Sequence, residues 1–269
     1  MFAVVTDNGG NIVRATIDTF GETKYLSCLA HSVNLVMQSV LNAIEAVKNL
    51  IAKIKKIVMF FGQSNTAVYK LREAQAKDEY QLCLIQDCPT RWNSTFDMIQ
   101  RFLVLLYAVT CTLLSLDGSP QMIFPAEVNL LKELVILLKP AKEVTLSISG
   151  EKYATGNKVL MLIDWFRTEV KKLQPISDVG KVVKTSLMSE IKKRLGCYET
   201  IRFQSLIGVA ALFDPRFKRS YFPNDLYDAQ VLNLVSGHIH DLKQPNSQKR
   251  KTENLQADCS NSTSISNNI

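Results

Sequence analysis

Residues 1–10 read Met-Phe-Ala-Val-Val-Thr-Asp-Asn-Gly-Gly. This is an apolar, partly β-branched run that ends in an acid and then in a turn signal, so it predicts a short buried strand over residues 1–7. Asn11–Phe20 reads as a short helix and Lys24–Cys28 as a second short strand. The pattern then changes. Val33, Val36, Met37, Val40, Ile44, Val47, Ile51, Ile54 and Val58 recur at three- and four-residue spacing, with no Gly or Pro between them. One long amphipathic helix over Ala30–Phe61 is the expectation. Lys53 and Lys56 fall roughly opposite its apolar stripe.

Further along, Ser64–Glu79 has the composition of a polar helix. Pro89 breaks the next segment, and Thr90–Ser94 supplies N-cap candidates for a helix running to about Ser115. Asp117-Gly118-Ser119-Pro120 is a loop. Ala126–Lys139 and Pro140–Ser149 read as two helices joined at the proline. Asn157–Leu173, Val179–Leu195, Glu199–Leu212 and Pro223–Leu242 follow as helices, the third at full length or as a shorter piece. From residue 243 the chain turns to Gln, Asn, Ser, Lys and Thr. That composition does not offset the entropy of ordering, so residues 243–269 are expected to be disordered. The fold class is therefore an α/β start on a chain that is mostly helical overall.

The chain has 269 residues, 46% hydrophobic and 21% charged, which suffices to bury a core. Its net charge of +7 favours an anionic partner, with nucleic acid ahead of membrane. No uncharged apolar run reaches the length of a membrane span, and no segment has the order of a signal peptide. The six cysteines are irregularly spaced, which reads as reduced thiols in an intracellular protein. Gly-rich phosphate loops, a Ser-His-Asp order and a Gly-x-Ser-x-Gly elbow are lacking, so hydrolase, kinase and dinucleotide-enzyme readings have no support.

Four constellations carry candidate chemistry. Asp7 closes a strand, where α/β folds place metal ligands, yet it equally suits a cap for the helix that follows. Cys28-x-x-His31 is either half of a zinc site or a structural pair, and no second pair has compatible spacing. Arg91-Trp92 opens a helix; the indole either anchors packing or stacks on an extruded base while the arginine meets phosphate. Asp214-Pro215-Arg216 reads as a turn with an internal ion pair. Basic clusters at Lys53, Lys55 and Lys56, at Lys171 and Lys172, at Lys192–Arg194 and at Arg216–Arg219 are solvated faces or a track for a DNA backbone. Lys249-Arg250-Lys251 is a nuclear-import candidate.

Taken in order, Val4-Val5-Thr6-Asp7-Asn8-Gly9, Cys28-x-x-His31, Asp87-Cys88-Pro89-Thr90-Arg91-Trp92-Asn93-Ser94-Thr95 and Leu212-Phe213-Asp214-Pro215-Arg216 resemble the catalytic domain of hAT-superfamily transposases and of their host-adopted relatives, the zinc-finger BED-type proteins. The resemblance covers roughly residues 1–222. It implies a partial ribonuclease-H-like transposase fold with a large all-α insertion. The expected regions are a partial core over 1–62, a helical region over 63–242 and a polar tail over 243–269. It implies that Asp7 is a vestigial metal ligand, Mg²⁺ in the family, and that Arg91 and Trp92 contact DNA, with Lys53 and Lys56 as candidate backbone contacts. Cys28, His31, Asp214, Pro215 and Arg216 are carried over as structural motif residues. The family's other two acids do not match positions in this chain, so no cofactor is expected in this chain by itself. The implied protein is nuclear, catalytically inactive, and acts by binding DNA or protein; oligomerisation would run through sequence outside these residues. A fragment of an active, Mg²⁺-dependent transposase is the alternative.

Overall fold

A computed structural model describes residues 4–75, 81–149, 155–196, 198, 206–216, 233 and 235–237. The opening strand forms where its β-branched residues predict it, as β1 (Val4–Thr6), and pairs in parallel with β2 (Tyr25–Ser27). Val4, Val5 and Thr6 lie opposite Tyr25, Leu26 and Ser27, and Cys28 N donates to Thr6 O at 2.8 Å. A parallel pair needs a crossover, supplied by helix α1 (Gly10–Phe20). That helix stops at Gly21, whose φ of 86° lies in the region open to glycine.

The expected single helix over Ala30–Phe61 is two: α2 (Leu29–Ala43) and α3 (Glu45–Gln63), bent by 96°. No Gly or Pro marks the break; Ile44 alone leaves the helical region, at φ −102° and ψ 104°. The cause is tertiary. Val33, Val36, Met37 and Val40 of α2 are wholly buried against helices late in the chain, whereas Val47, Ile54 and Ile57 of α3 bury against the helices that follow it. One straight rod cannot face both layers.

The remaining elements are α4 (Asn65–Ala74), α5 (Trp92–Val104), α6 (Leu106–Leu114), α7 (Pro125–Ile148), α8 (Val159–Lys172), α9 (Asp178–Leu195) and α10 (Leu206–Phe213). Ser64 caps α4 by accepting from Ala67 N. The helix expected from Thr90 to Ser115 breaks by 72° at Leu105 into α5 and α6. Conversely, α7 runs unbroken through Pro140, where two helices were expected. Proline there removes one backbone donor, but Leu137, Leu138, Pro140, Ala141 and Val144 are buried on either side of it and hold the helix on the core.

The helix α2 packs on α7 and α9, with α8 beside them, while α3 packs on α4 and α5, and α4 on α6. Residues before and after 63 thus share one core. A long-range tie joins the sheet to it: Tyr198 Oη donates to Ser27 O at 2.9 Å and lies 2.8 Å from Ser27 Oγ. Met1–Tyr221 is one compact unit and Phe222–Ile269 another; in the latter only Asn233 and 235–237 are described, and they are helical. The expected helix over Pro223–Leu242 and the tail over 243–269 otherwise lie outside the described residues. Among the described residues no single helix is long and apolar enough to cross a membrane.

Glu133 of α7 locks the start of α9. Its carboxylate accepts from Ile176 N, Ser177 N and Ser177 Oγ, and Ser177 Oγ in turn accepts from Gly180 N at 2.9 Å. Burial pushes the Glu133 carboxyl up, but these hydrogen bonds and nearby Lys181 outweigh it and hold the carboxyl below its ordinary value. Gly180 is required because a Cβ there would stand 2.5 Å from Glu133 Oε2.

Gly180→Ala should therefore destabilise the protein by about 1–3 kcal/mol, the cost of breaking a partly buried carboxylate network. In a Glu133→Ala background the same change should be neutral or stabilising, because glycine inside a helix is entropically unfavourable. Thermal melts of the four proteins test this. A lowered carboxyl pKa stabilises fully above the unfolded value, about pH 4.3, and that stabilisation is lost as pH falls through the folded value. Melts of the parent and Glu133→Gln should separate above about pH 4.3 and converge in stronger acid.

Candidate functional site

The Asp87–Arg91 segment becomes a fixed turn for local reasons. Arg91 N donates to Cys88 O at 3.0 Å, closing a tight turn around Pro89 and Thr90. Ser94 Oγ accepts from Cys88 N at 2.7 Å and donates to Arg91 O at 2.6 Å. Ser94 thus ties the turn to the first turn of α5. From the other side α2 holds it: Asn34 Oδ1 accepts from Trp92 N at 3.1 Å, and Asn34 Nδ2 and Gln38 Nε2 donate to Thr90 O at 3.3 and 3.2 Å. Asn34 and Gln38 stand four residues apart, on one face of α2.

Between this turn, α2 and α3 lies a cleft of about 300 Å³, with Gln38, Lys48, Lys55, Asp87 and Trp92 among its walls. Lys55 Nζ stands 2.6 Å from Asp87 Oδ2, and the Asp87 side chain is only 8% exposed. Lys48 is exposed and makes no ion pair among the described residues. The Cys88 thiol is pulled down from its ordinary value, first by a hydrogen bond with the Thr90 hydroxyl, 3.2 Å away.

Trp92 is 3% exposed and packs edge-on against Phe96, ring centroids 6.2 Å apart. Its indole face is therefore not open for a base to stack on, and the structure gives it the packing role. Its Nε1 hydrogen is buried without an acceptor among the described residues. Arg91 beside it is exposed. Lys53 is not a free cation: its Nζ lies 2.8 Å from Glu127 Oε2 and 4.5 Å from the Phe124 ring centroid, while Glu127 also accepts from Phe124 N. Lys53 thereby fastens α3 to the start of α7. Lys56 is exposed, with no ion pair among the described residues.

Asp7 lies at the end of β1, and its Oδ1 accepts from Gly9 N at 3.1 Å, closing the turn into α1. Cys28 and His31 are half-buried at the start of α2. Among the described residues no group of three or more His, Cys, Asp or Glu converges. A single carboxylate that already accepts from Gly9 N does not by itself fit a pair of Mg²⁺ ions. Cys28, Cys83, Cys88 and Cys111 are free thiols. Asp214 is buried and accepts from Arg216 N at 2.9 Å, from Arg216 Nη2 at 2.7 Å and from Asn157 Nδ2 at 2.6 Å. The Arg216 guanidinium holds the Asp214 carboxyl far below the carboxylate range. Asp214-Pro215-Arg216 is thus a structural clasp between the end of α10 and the start of α8.

Asn34, Gln38, Lys48, Lys55 and Asp87 were not singled out from sequence as parts of one site. The signal for Asn34 and Gln38 was present, as two amides at helical spacing off the apolar stripe.

The sequence that forms this assembly is similar to known proteins. Residues 26–134 match the family described as the ZBED1 RNase-like helical domain, a span from β2 to the middle of α7. These likenesses support kinship with BED-type proteins of hAT-transposase descent. The chain is 24% identical over 277 aligned residues to human Zinc finger BED domain-containing protein 4, with 93% of this chain covered. The chain spans 22% of that relative's length.

Trp92→Ala should lower stability by about 3–5 kcal/mol through the cavity it leaves. Asn34→Ala, which orphans Trp92 N and Thr90 O, should cost about 1–3 kcal/mol. Urea titrations followed by far-UV dichroism measure both; an unchanged Trp92→Ala midpoint would contradict the packing role.

Proposed function

We propose that this chain is a transposase-derived binding protein that has left strand transfer behind and contacts DNA through its phosphate backbone. The observation that carries this reading is the set of exposed cations on α3 and at the Arg-Trp turn, of which Lys48 lines the cleft. Lys48 and Lys56 on α3 and Arg91 at the head of α5 are exposed and unpaired among the described residues, on a chain of net charge +7. Lys48 and Lys55 stand seven residues apart, on one face of α3, so the positive charge is directional. Lys55 is partly spent on Asp87, and Lys53 on Glu127. Such a set of cations meets phosphates without reading bases. Sequence specificity then belongs to some other part of a longer protein, in keeping with a relative described as a zinc finger BED domain-containing protein. A nuclear location and a ribonuclease-H-like origin of the two-stranded sheet belong to the same proposal.

For the chemistry, Asp7 supports the non-catalytic reading because its carboxylate is engaged by Gly9 N and, among the described residues, it belongs to no group of three or more His, Cys, Asp or Glu. Charge stabilisation by two metals supplies several kcal/mol to phosphoryl transfer, and a single carboxylate does not assemble such a centre.

Two measurements test this. With hairpin and duplex DNA as probes, affinity should fall steeply with salt. Lys48→Glu combined with Arg91→Glu should flatten that slope by about two counterions per variant pair or more. Lys53→Gln should lower stability and leave the slope unchanged. In Mg²⁺ or Mn²⁺ the purified chain should leave both DNAs intact; metal-dependent nicking that Asp7→Ala abolishes would establish an enzyme instead.

A further inference from the structure

Asp87 stands among the cations through which DNA contact is proposed, and it has the wrong sign for that role. Its Oδ2 is buried and lies 2.6 Å from Lys55 Nζ. That oxygen accepts no directed hydrogen bond among the described residues, so Lys55 is held by charge rather than by bond geometry. Lys48 and Lys55 both line the cleft of about 300 Å³, roughly two turns apart on α3. Lys48 faces water, whereas Lys55 is turned onto Asp87.

Burial within this pair is the reverse of that in the pairs that tie helices together. At Lys53–Glu127 and Lys142–Asp97 the lysine side chain is the better covered partner, 17% exposed in each, against 30% and 37% for the acids. At Lys55–Asp87 the lysine is 40% exposed and the acid 8%. A buried carboxylate that loses its cation keeps its desolvation cost, whereas a half-exposed lysine that loses its acid is solvated by water. Asp87 therefore depends on Lys55, and Lys55 does not depend on Asp87. Nor is the pair the turn's only anchor, since Ser94, Asn34 and Gln38 hold the same turn by hydrogen bonds. What the acid does change is the charge that the cleft offers. With Asp87 in place, the charge of Lys55 is cancelled at 2.6 Å and adds little to the field that a phosphate meets.

We propose that Asp87 is an internal counterion that withholds Lys55 from the DNA backbone, and so sets how tightly this side of α3 holds phosphate. The inference rests on the phosphate-contact reading above. Lys48, Lys56 and Arg91 meet the backbone while Lys55 stays on Asp87. Neutralising the acid releases a further cation into the same cleft.

The test titrates the parent, Asp87→Asn, Lys55→Gln and the double variant with the hairpin and duplex DNA over a salt series, with a thermal melt of each. Asp87→Asn should melt close to the parent, bind DNA about threefold to tenfold more tightly at low salt and steepen the salt dependence by about one counterion. In the Lys55→Gln background Asp87→Asn should leave the slope unchanged, because no cation is there to release. A steeper slope that persists without Lys55, or no gain with it, would overturn the proposal. Amine acetylation read by mass spectrometry makes a second comparison on the parent chain, which holds even where Asp87→Asn folds poorly. DNA should protect Lys48 and leave Lys55 as reactive as before, and equal protection of the two lysines would also overturn the proposal. If neither the parent nor Asp87→Asn binds DNA, the phosphate-contact reading fails and this inference with it. If the parent binds with a steep salt dependence and the two substitutions are additive, only this inference fails.

Discussion

The structure depends on the burial of one face of α2. Val33, Val36, Met37 and Val40 have no exposed surface, and they meet α7 and α9, elements that begin almost a hundred residues or more later in the chain. Burial of a side chain of this kind contributes about 1.5–3 kcal/mol, so this face alone outweighs most single polar contacts in the molecule. The other faces of α2 are then fixed in space. Its N-terminus follows β2 directly and carries Cys28 and His31 beside the sheet. Its amides, Asn34 and Gln38, reach the turn before α5 and hold it in place. The sheet end and the Arg-Trp turn are positioned by the same helix.

The fate of the cations shows how the fold sorts a basic chain. Lys53, Lys55 and Lys142 lie within 2.9 Å of carboxylates on other elements and act as fasteners: α3 to α7, α3 to the turn, α7 to α5. Lys48, Lys56 and Arg91 have no such partner among the described residues and face water. A salt bridge between exposed groups is worth little, but Asp87 and Glu127 are shielded enough for removal of their lysines to leave a poorly solvated charge. The structural lysines are thus recognised by what they would abandon, and the free ones by what they could meet.

Trp92 illustrates how one residue type serves opposite roles. An aromatic side chain at a helix start reads equally as an anchor or as a stacking platform, and only its neighbours decide. Here Phe96 meets its ring and the clamp from Asn34 draws its backbone onto α2. The buried Nε1, without an acceptor among the described residues, is a cost of that packing.

The start of the chain, residues 4–42, was largely legible from sequence, because β-branched runs, Asn-Gly-Gly and a three-four apolar spacing are local signals, and β1, α1, β2 and the start of α2 lie within a few residues of their expected bounds. The clasp of Asp214 and Arg216 was legible for the same reason, being two residues apart. The motifs also sufficed to indicate the likeness to BED-type, hAT-derived proteins that the family match over residues 26–134 supports. Three boundaries were not legible. The break at Ile44, the break at Leu105 and the continuity of α7 through Pro140 run against local propensity, since each is set by which layer the flanking apolar residues must enter. The cleft was not legible either: Lys48, Lys55, Asp87 and Trp92 come from separate parts of the chain, and nothing local signals that they meet. Sequence by itself determined the elements that short-range sterics and periodicity encode, together with the excess of positive charge. Only the tertiary structure decided which lysines are spent on carboxylates and that Trp92 is covered, because each of these depends on what long-range packing brings alongside.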